Sequence, residues 1–88
     1  MSVNTIENLE RALEIRQDVD KIIRQLANEV GINLYKDDQP TMQLQKMKHY
    51  LVKIHSLSSI RLFDIERLEE YYHLFKKECI NYIDNFYK

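Results

Sequence analysis

This chain has a single glycine, Gly31, and a single proline, Pro40. They bracket one stretch, Gly31-Ile32-Asn33-Leu34-Tyr35-Lys36-Asp37-Asp38-Gln39-Pro40, and leave the rest of the 88 residues without the turn chemistry that hairpins need. Helices need breakers only at their ends, so the sequence predicts an all-α fold. The same scarcity excludes phosphate-cradling loops and dinucleotide fingerprints, which require two or three glycines close together.

The length predicts one domain over residues 1–88, near the lower limit for folding without a disulfide or metal. With 44% hydrophobic and 31% charged residues, the chain is too apolar and too evenly charged for disorder. Its longest apolar run is far short of a bilayer span. The start, Met1-Ser2-Val3-Asn4-Thr5-Ile6-Glu7, has no basic segment followed by an apolar run, so a cytoplasmic location is expected. Cys79 is the only cysteine and lies in a helical apolar stripe, which reads as a small core residue rather than a reactive thiol. A net charge of −1 removes the bulk electrostatic reason to expect nucleic acid.

Periodicity predicts an antiparallel bundle of three long helices over about 4–30, 41–56 and 64–87, or four helices if the first is broken near Arg16. Asn4 with Glu7 resembles a capping box, and Gly31 stands where a left-handed residue ends a helix. In the second half of the first helix, Ile15, Val19, Ile22, Leu26 and Val30 form a stripe, widened by Ile23 and Ala27, while Asp18, Lys21, Gln25 and Glu29 turn outward. Ile6, Leu9 and Leu13 fall off that stripe by roughly 110°, more than the drift of ~20° per heptad in a straight helix. Either the helix bends near Arg16 or these residues face something else.

Thr41 is a plausible cap for the second helix, which carries Leu44, Met47, Leu51 and Ile54 on one face with Tyr50 at its edge. Ser56 to Leu62 is rich in serine and β-branched residues and reads as a connection. Asp64 caps the third helix, with Phe63 placed to pack on Leu68 as a hydrophobic staple. Ile65, Leu68, Tyr72, Phe75, Cys79, Tyr82 and Phe86 then follow at alternating spacings of three and four, a seam running the length of the helix.

At 1.5 Å per residue the three helices would span roughly 40, 23 and 33 Å in chain order, so the second cannot cover both neighbours. Apolar surface should be left over, and contiguous exposed apolar surface usually marks an interaction site. Tyrosine suits such a site because it pairs a rigid apolar body with a polar tip. The expected partner-binding residues are Ile6, Leu9, Leu13, Tyr71, Tyr82, Tyr87 and Lys53.

Other constellations carry less. His49 and His55 are six apart and cannot form the i, i+4 metal pair of a helical zinc site; His73 has no cysteine pair to join it. Glu10, Glu14 and Asp18 repeat at intervals of four, which reads as a solvated face or an acidic docking strip rather than a catalytic pair, because nothing supplies a pocket to set two carboxyls apart. No catalytic, metal or cofactor site is therefore expected. Lys46, His49 and Lys53, with Lys48 nearby, form a basic stripe that Arg61, Lys76 and Lys77 would have to extend in a small DNA-binding regulator.

Pro40, Leu44, Tyr50-Leu51, Ile60-Arg61-Leu62-Phe63, Leu68 and Leu74-Phe75-Lys76-Lys77 resemble the corresponding stretch of the enterocin A type bacteriocin immunity proteins. That resemblance implies a cytoplasmic four-helix bundle that protects its producer from a pore-forming peptide, with the C-terminal half deciding which toxin is resisted. Asp38, Leu44, Leu62-Phe63-Asp64 and Leu68-Glu69 also resemble the epsilon antitoxins, three-helix proteins that block zeta kinases with their N-terminal helix. Both resemblances imply a toxin-neutralising protein whose partner is a toxin or a toxin receptor. The readings of other classes are the DNA-binding regulator and a structural helical homo-oligomer, a homodimer in its simplest form.

Overall fold

The computed structural model of the chain describes residues 5–59 and 64–88. It is all-α, with three helices in contact: α1 over Thr5–Val30, α2 over Met42–Ser59 and α3 over Ile65–Phe86. The expected cap at Asn4 and the staple at Phe63 lie outside the described residues. Helix α1 is unbroken through Arg16, so there are three helices rather than four.

The end signals that are described act as their chemistry requires. Gly31 takes φ 71°, the left-handed value a side chain would resist, and the amide of Ile32 turns back to the carbonyl of Leu26 at 3.2 Å. Thr41 Oγ1 accepts from the amide of Leu44 at 3.2 Å, and Asp64 Oδ1 accepts from the amide of Arg67 at 3.2 Å. The expected end of α2 near Ser56 is too early. Leu57 keeps packing on the core one turn beyond Ile54, and Ser58 Oγ bonds back to the carbonyl of Ile54 at 2.8 Å, so tertiary contact carries weak helix formers to Ser59.

Arg11 reaches Glu69 across 58 residues, and Asp18 reaches Lys76 across the same separation, 76 − 18 = 58, so α1 and α3 run parallel and level. Lys46 pairs with Glu78 while Tyr50 lies on Tyr71, so α2 runs antiparallel to α3. The result is an up-down-up bundle of 48 × 21 × 17 Å. Helix α3 packs most extensively on α2 and next on α1; α1 and α2 touch little.

The core is Ala12, Ile15, Val19, Ile23 and Leu26 from α1, Leu44, Met47, Leu51 and Ile54 from α2, and Leu68, Tyr72, Phe75 and Cys79 from α3. Leu34, in the α1–α2 connection, is fully buried among them. Ala27 is exposed instead of widening the α1 stripe, and Phe86, at the far end of the α3 seam, is also exposed. Around Leu34 the connection is tied down by Gln39, whose Nε2 donates to the carbonyls of Asn33 and Lys36 at 3.2 and 2.6 Å. Gln45 Nε2 donates to the carbonyl of Gln39, and Lys48 Nζ to that of Lys36. Carbonyls of the connection that no helix satisfies thus find side-chain donors.

Candidate functional site

Ile6, Leu9 and Leu13 are 70%, 53% and 56% exposed, while Ala12 beside them is buried and Ile15 begins the core stripe. The exposure is one of direction rather than length. By the α1–α3 register, Leu13 is level with Tyr71, and Tyr71 lies on Tyr50 of α2, so α2 passes beside this part of α1 rather than stopping short of it. The three side chains point away from the bundle and share one helix face at spacings of three and four.

Two further exposed apolar residues that sequence reasoning missed stand on α2 and in the α1–α2 connection. Val52 is 52% exposed and stands on the α2 edge defined by Lys48 and His55, both of which contact the connection. Tyr35, also about half exposed, packs its ring 6.1 Å from that of His55. Burial, and secondarily the charge of Asp20, hold the Tyr35 phenol above its usual value. Asp20 follows Leu13 by seven residues on the same face of α1, and its charge is felt at Tyr35. Nothing in a helical period marks a loop tyrosine for this place; the signal was the apolar Leu34-Tyr35 pair, with Ile32, in a connection otherwise made of polar residues.

One border of the strip is acidic. Glu7, Glu10 and Glu14 repeat the spacing of Ile6, Leu9 and Leu13 one residue later, which turns them about 100° around the helix. All three are exposed. Asp18, expected to extend this row, is instead half-buried, accepting from the Tyr72 hydroxyl and pairing with Lys76 at 3.6 Å. Tyr72 therefore does not hold its hydroxyl in water; burial and the Asp18 bond raise its pKa. Arg11, the cation nearest the row, is bound by both oxygens of Glu69 at 2.7 and 2.9 Å. The Arg11 hydrogen bond holds the Glu69 carboxyl below its usual value.

The remaining expected partner residues do not join the strip. Tyr71 is partly buried against Tyr50, and Tyr82 is partly buried on the core. Tyr87 is exposed beside Phe86, about 24 Å along the axis from the level of Tyr71. Lys53 is exposed on α2, one residue around from Val52. The basic stripe is partly spent on ion pairs: Lys46 with Glu78, Lys48 with Asp37 at 3.9 Å, and Lys76 with Asp18. Arg61 lies outside the described residues.

His49 and His73 are exposed, whereas His55 is half-buried with its Nε2 lacking a hydrogen-bond partner among the described residues. Cys79 is buried, bordering a small cavity with Ile22, Ile80 and Ile83, and its burial pushes the thiol up to about 12 and leaves little thiolate at neutral pH. Among the described residues no group of three His, Cys, Asp or Glu side chains is placed to hold a metal ion. Nor is any helix among them long and apolar enough to cross a membrane. Comparison with models of known protein families, with curated proteins and with solved structures finds no match for this chain.

Proposed function

We propose that this chain is a non-catalytic protein-binding module of the toxin-neutralising kind, acting by surface complementarity through the strip on the first half of α1. The observation that carries this reading is that Ile6, Leu9 and Leu13 are more than half exposed on a helix whose other face is already satisfied by the core. Water contact with a patch of a few hundred Å² costs on the order of several kcal/mol relative to burial, so another macromolecule gains by covering it. The surface is a helix face with anchors at i, i+3 and i+7, a form suited to masking a toxin or its receptor without chemistry. A DNA-binding role has less support, because Lys46, Lys48 and Lys76 are engaged by carboxylates of the same chain.

The test is a capture from the native host with the wild-type chain and a Leu9→Asp/Leu13→Asp double variant as paired baits, each checked for an unchanged thermal melt. A protein retained by the wild type and lost by the variant supports the reading. Equal recovery on both baits would overturn it.

A further inference from the structure

We infer that the cleft between α1 and α3 in their C-terminal halves binds a small cationic amine, an ammonium group carried on a compact apolar body. The cleft lies on the flank of α1 that meets α3, and it stands or falls independently of the protein-binding role given to Ile6, Leu9 and Leu13.

The seam between the two helices is a ladder whose rungs repeat every seven residues. Arg11 meets Glu69 and Asp18 meets Lys76, each helix advancing by the same seven residues, as a parallel pair requires. Carried one step further, the same offset sets Gln25 of α1 against Ile83 of α3, with Asp84 beside it. The side chains of Gln25 and Asp84 have no hydrogen-bond or ion-pair partner among the described residues. Where the first two rungs close the seam with opposite charges, the third leaves a cavity of about 120 Å³ with one side open to solvent. Ile22, Cys79, Ile80 and Ile83 give it apolar walls, and the exposed Gln25 and Asp84 complete the lining.

That lining selects the occupant. A dry cavity of about 150 Å³ walled by Leu, Ile and Phe admits benzene, so the volume here suits a body of about six carbon atoms. A neutral molecule of that size gains burial alone, and an anion meets the Asp84 carboxylate with like charge. A primary ammonium supplies the cation that the third rung lacks, with donors to spare for the Gln25 amide oxygen and for water. Binding is non-covalent, because the Cys79 thiol in the wall is held protonated by its burial.

The probe is benzylammonium, compared with benzyl alcohol, phenylacetate and methylammonium, which change the charge or remove the ring. With isoleucine methyls labelled in the full chain, benzylammonium titrated through the millimolar range should give saturable shifts at Ile22, Ile80 and Ile83 and leave Ile6 and Ile54 unmoved. Asp84→Asn should weaken it about three- to fivefold, the scale of one solvent-facing ion pair, bringing it to the level of benzyl alcohol. Gln25→Lys supplies the missing cation from within the chain and should weaken benzylammonium to a similar degree while leaving benzyl alcohol unchanged. Both positions are exposed, so both variants should melt as the wild type does.

Benzylammonium binding that survives Asp84→Asn undiminished, or that phenylacetate equals, would overturn the cationic assignment. Methylammonium matching benzylammonium would show attraction to a carboxylate without use of the cavity and would overturn the inference as well. Shifts that spread to Ile6 and Ile54 without saturating, or no shift at Ile22, Ile80 and Ile83, would remove the site altogether.

Discussion

The two halves of α1 are built from the same kind of helix and end in opposite relations to solvent. From Ile15 onward the apolar residues Ile15, Val19, Ile23 and Leu26 converge on the core. Before it, among the described residues, Ala12 is the buried apolar side chain, while Ile6, Leu9 and Leu13 look out and Arg11 fastens the segment sideways to Glu69 of α3. Helix formation alone therefore says nothing about what a helix face is for. The second half stabilises this molecule. Among the described residues the first half is fastened by the Arg11–Glu69 pair and by buried Ala12, while its larger apolar side chains face solvent.

That contrast can be broken most directly at Leu26 and Leu13. Leu26→Ala removes a fully buried side chain and should cost about 2 to 5 kcal/mol in urea unfolding, whereas Leu13→Ala should stay within about 0.5 kcal/mol. Similar losses at both positions would mean that the halves do not differ. Tyr72→Phe sharpens the picture at the clasp between the helices. It removes the hydroxyl that Asp18 accepts from while leaving Lys76 beside the carboxylate, for an expected loss of about 1 kcal/mol.

The smallest effect concerns Glu69 and is read from pH. Its carboxyl is held below the usual value by Arg11, so the folded state releases that proton more readily than the unfolded chain. The contribution is then fully present above the ordinary carboxylate pKa and is lost as pH falls through it toward the lower folded value. Glu69→Gln should flatten the acid limb of the stability curve in that range. Because the pair is partly solvent-exposed, its effect at neutral pH should be no more than about 1 kcal/mol.

The sequence made the helices legible because the end signals are local: Gly31, Thr41 and Asp64 each act on backbone groups within a few residues. The extension of α2 to Ser59 was not legible, since the packing of Leu57 on the core is a tertiary effect that serine propensities conceal. Within the strip, Ile6, Leu9 and Leu13 could be found because a phase error in helical period is visible in one dimension. The tyrosines grouped with them could not be sorted that way. Tyr71 and Tyr82 point toward neighbours whose positions depend on how the helices cross. Asp18 looked like the continuation of Glu10 and Glu14 until the parallel pairing of α1 and α3 set Tyr72 and Lys76 against it.

The buried Gln39 and its bonds have a consequence for how the chain can be cut. Lys36 has an exposed side chain, the preferred mark for trypsin, but its carbonyl is held by Gln39 Nε2 and Lys48 Nζ while Leu34, two residues before, is sealed in the core. A protease must draw several residues into an extended form, which here means pulling Leu34 out with the strand of chain that carries it. Cleavage after Lys36 thus gauges how often the whole bundle opens rather than how often a loop stirs.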